Sequence, residues 1–147
     1  MRFRILLATM IVLSAAGSVS TTADAKVKDA LQGNWAAVSA ERSAQPADDL
    51  KGHQLTFAGD RFTIRSKGKV VYQGTYTTDP STKPASIDFK NTAGGMKGKA
   101  WLGIYELDGD ALKICDNADD VAKGRPAAFV TEARSGQVLV NFKRVKR

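Results

Sequence analysis

The chain carries one cysteine, Cys115, and one histidine, His53. One cysteine closes no disulfide within the chain, so stability has to come from packing. Together they fall short of a structural zinc site, which draws four ligands from such residues. Any Ser-His-Asp or Cys-His mechanism would have to run through His53, which follows the Gly52 turn and reads as a surface or rim residue. Cys115 stands next to Asp116, whose charge raises a thiol pKa, and reads as structural. The chain is therefore expected not to be an enzyme, with no catalytic residues, no cofactor and no metal.

Long apolar runs are scarce as well. The one present, Ile5 to Ala16, follows Arg2 and Arg4 and precedes small polar residues, with Ala23-Asp24-Ala25 as a small-x-small cleavage site. About a dozen apolar residues suit a secretory signal, whereas a membrane helix needs roughly 20. Residues 1–25 are thus expected to be a cleavable signal peptide and residues 26–147 one exported domain, periplasmic or extracellular, with no membrane span. Removing Arg2, Arg4 and Asp24 takes the net charge from +7 to +6. The basic residues are spread along the chain without a run of five, as on a solvated surface.

Sustained helical periodicity is also missing. After a short helical lead-in at Val27–Gln32, short segments alternate apolar and polar residues between turns, the pattern of a β-barrel or sandwich. Strands are expected near Trp35–Glu41, His53–Phe57, Arg61–Ser66, Lys69–Thr77, Ser86–Asn91, Ala100–Leu107, Ala111–Cys115 and Gln137–Val145. A weaker one is expected near Ala128–Glu132, and a helical turn within Pro46–Leu50. Gly59-Asp60, Lys67-Gly68 and Asp108-Gly109-Asp110 supply hairpin turns. Alternation points Leu55, Phe57, Phe62, Ile64, Val70, Tyr72, Tyr76, Ile87, Phe89, Leu112 and Ile114 inward. The strands at Ala100–Leu107 and Gln137–Val145 are apolar on both faces, as if covered on both sides.

Leu31-Gln32-Gly33-Asn34-Trp35 places Gly-x-Trp at the start of the first strand, and the last strand ends in Lys143-Arg144. This resembles the lipocalin or calycin arrangement. The likeness extends through Leu55-x-Phe57-x-Gly59-Asp60-x-Phe62, Gly74-Thr75-Tyr76, Gly103 to Cys115, Arg125-Pro126 and Gly136 to Leu139. Taken together, these segments resemble a lipocalin-like domain family abundant in exported proteins of Planctomycetes, to which no reaction is assigned. The resemblance implies an all-β, antiparallel up-and-down barrel of about eight strands. It also implies closure of one end by Gly33, Trp35 and Arg144, with the basic side chain across the indole. The chain departs from that family after Cys115, where Asp116-Asn117-Ala118-Asp119-Asp120 replaces a Pro- and Gly-rich stretch.

In such a barrel the interior or open end would hold a small apolar ligand. The expected lining is Phe57, Phe62, Tyr72, Tyr76, Phe89, Trp101 and Tyr105. Trp101 reads either as core or as an exposed aromatic at the rim, beside Lys97 and Lys99. With the other aromatics turned inward, none is left to stack on bases, and nucleic acid is not an expected partner. The alternative is a non-catalytic module of the cell envelope whose basic outer surface meets an anionic component. Asp116, Asp119 and Asp120 lack the glycine and the glutamate of a calcium loop and read as a solvated acidic loop.

Overall fold

A computed structural model describes residues 22–146. The expected signal segment therefore lies largely outside the described residues. Helix α1 (Thr22–Leu31) leads into strands β1 (Gly33–Arg42), β2 (Gln45–Pro46), β3 (Gln54–Ala58), β4 (Arg61–Ser66) and β5 (Lys69–Asp79). They are followed by β6 (Ser86–Asn91), β7 (Ala100–Asp108), β8 (Ala111–Asp116) and β9 (Val138–Arg144). Every pairing is antiparallel, neighbour to neighbour from β3 to β9, and β1 pairs with both β3 and β9. Eight strands thus close into an all-β barrel, and the two-residue β2 is only a fringe on β1. Closure pairs each of the eight barrel strands on both sides, and among the described residues the two-residue β2 is the element with a free edge.

Helix α1 is longer than the expected Val27–Gln32 turn. Ala23, Ala25, Lys26, Lys28 and Ala30 are good helix formers, and Asp24 in the first turn with Lys28 in the last suits the dipole. Leu31 is its fully buried residue, with Val27 packed against the core. Among the described residues no strand forms at Ala128–Glu132. The segment after β8 instead crosses the outside of the barrel, held by side-chain bonds where a strand would use its ladder. Thr131 is the clearest tie, donating to the Glu41 carboxylate and accepting from the Ala44 N–H at 3.0 Å. Ile104 and Cys115 lie on the outward faces of β7 and β8, yet both are buried, and the Cys115 Sγ is 3.8 Å from the Val130 carbonyl.

Alternation holds along most strands and breaks at two bulges. In β5 the register slips between Ile64 and Arg65 of its partner β4: Ile64 faces Tyr72, but Arg65 faces Val70. The extra residue, Val71, reverses the phase, so Val70 points out with Arg65 instead of inward, and it is 48% exposed. In β1 the slip falls between Ala37 and Ser39, leaving Val38 unpaired and half-exposed. Trp35 and Arg42, seven residues apart, consequently share the inner face.

The lower half of the barrel is filled by aromatic rings. Phe57 and Tyr76 meet at 4.5 Å between centroids, and Phe62 meets Phe89 edge-on at 4.9 Å. Gly74 makes this fit possible: a Cβ there would lie 1.8 Å from the Lys90 carbonyl oxygen, a backbone atom with nowhere to go.

Candidate functional site

One end of the barrel is sealed. Trp35 is fully buried, and its indole N–H donates to the Leu31 carbonyl at 2.9 Å, tying the barrel floor to the end of α1. The Arg144 guanidinium lies over the ring, with its central carbon 4.2 Å from the centroid. Its Nη1 donates to the Gln32 carbonyl at 2.8 Å and its Nη2 to the Ala30 carbonyl at 2.7 Å. Its Nε pairs with Asp110 at 3.1 Å. Arginine thus closes the barrel and caps the C-terminal carbonyls of α1, where a cation is favoured. Gly33 has φ +116°, and a Cβ on it would come within 3.4 Å of Arg144 Nη1. A side chain would crowd the guanidinium besides straining the backbone.

The other end is open. There a cavity of about 190 Å³ is walled by Ala37, Leu55, Ile64, Phe89, Trp101, Ile114, Val140 and Phe142, and reaches Tyr72, Met96, His53, Arg42, Asp116 and Asp119 at its mouth. Of the seven aromatics expected to line an interior site, Tyr72, Phe89 and Trp101 do so. Phe57, Phe62, Tyr76 and Tyr105 are buried among one another and neighbouring side chains, and do not line this cavity. Tyr76 is held at the sealed end: its hydroxyl donates to the Gly59 carbonyl at 3.0 Å and accepts from Gln32 at 2.9 Å. Burial raises the hydroxyl pKa of Tyr76 and of Tyr105.

Trp101 proves to be a wall residue, 4% exposed, with its ring edge-on to Tyr72 at 5.0 Å. Its indole N–H is buried and has no hydrogen-bond partner among the described residues. Such a group costs about 1–3 kcal/mol.

The mouth is charged in a way the sequence reading missed. Asp116 ends β8 in phase with Leu112 and Ile114, so it faces the cavity instead of belonging to a solvated acidic loop. Burial pushes its carboxyl pKa up to about 7, against the lowering effect of a 3.0 Å bond from the Ala118 N–H. Arg42 reaches the same mouth through the β1 bulge and is held between Asp49 at 3.4 Å and Asp119 at 3.5 Å. Asp120 is exposed and turned to its own loop, accepting from the Ala122 N–H. His53 stands at the rim, partly exposed.

Among the described residues, no three His, Cys, Asp or Glu side chains converge as metal ligands. Cys115 points away from the cavity, and its thiol pKa is pushed up to about 12 by burial and by the charges of Asp116 and Glu41. No helix among the described residues is long and apolar enough to cross a membrane. Comparison with protein-family models, with curated proteins and with solved structures finds no match to this chain.

Proposed function

We propose that the chain is an exported lipocalin-like binding module that takes a small, largely apolar molecule into the open end of its barrel. The observation that carries this reading is the cavity itself. Trp35, Phe57, Phe62 and Tyr76 pack together at the sealed end, while Tyr72, Phe89, Trp101 and Phe142 surround the mouth half without filling it. The mouth half is left with about 190 Å³ of space. An engineered apolar cavity of about 150 Å³ is enough to bind benzene, so the occupant suited here has one or two fused rings or an equivalent short branched chain. The unpartnered Trp101 N–H and the Asp116 carboxyl add polar character beside an otherwise apolar wall.

The test is a titration with naphthalene, followed by fluorescence and isothermal calorimetry. Saturable binding with a negative heat-capacity change is expected. Ala37→Leu, which grows into the cavity at a stability cost of about 1–3 kcal/mol, should abolish it while the variant stays folded. Absence of saturable binding by the folded wild-type protein, or undiminished binding by Ala37→Leu, defeats the reading. Export is tested by the intact mass of the secreted protein, which should begin at Lys26.

A further inference from the structure

Basic residues that look dispersed in the sequence come together at one side of the barrel mouth. Arg65, Lys67 and Lys69 lie at the β4–β5 hairpin end, while Lys90, Lys97 and Lys99 flank the β6–β7 connection. The two ends touch: the Thr92 N–H donates to the Gln73 carbonyl at 3.0 Å, and the single helical turn Gly94–Met96 packs against β5. No acidic residue occurs between Arg61 and Thr78 or between Phe89 and Tyr105. Among the described residues, none of these six cations forms an ion pair. The carboxylates lie across the mouth, at Asp48 and Asp49 before β3, at Asp116 where β8 ends, and at Asp119 and Asp120 beyond it.

The same lip is apolar at its edge. The β5 bulge turns Val70 outward beside Val71 and Tyr72, and the three consecutive side chains are 48%, 41% and 38% exposed. Exposed apolar residues are ordinary singly, but three in a row on a cationic lip are not. A soluble polyanion would satisfy the lysines and leave the valines in water. A bilayer satisfies both, because anionic headgroups attract the cations while the apolar edge enters the headgroup–acyl boundary.

We infer that this lip docks on an anionic phospholipid bilayer, with the barrel mouth facing the membrane. Tyr72 and Met96 belong to the cavity as well as to this side of the mouth, so docking would open the cavity toward lipid. The inference goes beyond the ligand-binding reading and does not depend on it.

The experiment is vesicle co-sedimentation of the purified protein, with phosphatidylcholine alone and with phosphatidylcholine mixed with phosphatidylglycerol. Binding is expected to the anionic vesicles only, and to weaken as salt rises. The quadruple variant Lys67→Gln, Lys69→Gln, Lys97→Gln, Lys99→Gln should bind weaker by on the order of several hundredfold, since each surface lysine near anionic lipid is worth about fivefold. Val70→Ser with Val71→Ser should lose roughly tenfold.

The control quadruple Lys28→Gln, Lys83→Gln, Lys143→Gln, Lys146→Gln removes the same charge at the sealed end and should bind like wild type. Equal loss in that control would assign the effect to net charge and overturn the inference. So would equal binding to uncharged vesicles, or a heparin affinity that matches the vesicle affinity and ignores the valines. None of the substituted lip residues lines the cavity, so naphthalene binding in the lip variants reports their folding. It also separates failure of this inference from failure of the cavity reading.

Discussion

Replacing Arg144 by methionine keeps the aliphatic stem and removes the guanidinium fork, which isolates what closes the barrel. The lost cation–π contact at 4.2 Å contributes about 0.5–2 kcal/mol. The bonds to the Ala30 and Gln32 carbonyls are charge-assisted and each is worth about 1.5–3 kcal/mol, but water takes the vacated place at this partly exposed end, which leaves roughly half. The Asp110 pair, with its carboxylate half in solvent, adds about 0–1 kcal/mol. A loss of about 2–6 kcal/mol is therefore expected.

Arg144→Lys should recover less than half of it, because one ammonium cannot serve two carbonyls while lying flat on an indole. Urea unfolding followed by far-UV circular dichroism measures these losses without relying on tryptophan emission. The decisive number is the coupling in a double-mutant cycle with Trp35→Phe, expected to be at least about 0.5 kcal/mol for residues in contact. Amide exchange should also quicken across residues 27–32, since the guanidinium holds the last carbonyls of α1. Additive mutations, or an Arg144→Met loss below about 0.5 kcal/mol, would refute the account of the sealed end.

Two further outcomes follow from the open end and the outer cover. Asp116 has a folded-state pKa raised to about 7 from 3.8. Between those values the folded state keeps a proton that the unfolded chain has released, so its contribution to stability falls as pH rises through that window and stays low above it. Asp116→Asn should flatten this fall and stabilise the protein at pH 8 by about 1–2 kcal/mol, discounted for solvent at the mouth. Parallel stability-versus-pH curves for the two proteins would contradict it. The Cys115 thiol, with its pKa near 12, should resist a thiol reagent at pH 8 until the protein unfolds. Cys115→Ser should cost about 1–2 kcal/mol for the buried hydroxyl and leave the fold intact, measured by the same urea titration.

The barrel was legible in the sequence because its signals are local and repeated. Arg61–Ser66 and Ser86–Asn91 begin and end where alternation and turn residues place them. The double-sided apolar pattern of Ala100–Leu107 corresponds to a real outer cover over Ile104. The site was less legible, for reasons that can be named. A bulge inserts one residue and inverts every later side chain on its strand, and nothing in the Val38 or Val71 neighbourhood marks it. Val70 therefore looked inward and is reversed, and the turn of Arg42 toward the mouth had no signal in the strand expected at Trp35–Glu41. Asp116 was recoverable, since Leu112 and Ile114 already set its phase; it was missed because an acidic residue after a cysteine looked like the start of a loop. The basic lip was invisible for a different reason. Its six cations belong to two hairpin ends some thirty residues apart in sequence, and only the β5–β6 pairing joins them.

Why the cavity exists at the mouth and not at the floor comes down to which strands own large side chains. At the sealed end, Trp35, Phe57, Phe62 and Tyr76 converge from β1, β3, β4 and β5 beneath the guanidinium of Arg144, and none of the four lines the cavity. Toward the mouth, β1 contributes Ala37 and β9 contributes Val138 and Val140, so one wall is built of short side chains facing Phe89 and Trp101 across the barrel. Relaxation cannot close that gap, because a sheet joined edge to edge has a circumference fixed by its strand number and stagger. A void of this kind forfeits dispersion contacts along its lining, a cost that a bound molecule of matching size returns. A larger residue at position 37 would take up part of this space, which is why Ala37→Leu discriminates between a barrel that is merely under-packed and one whose space is used.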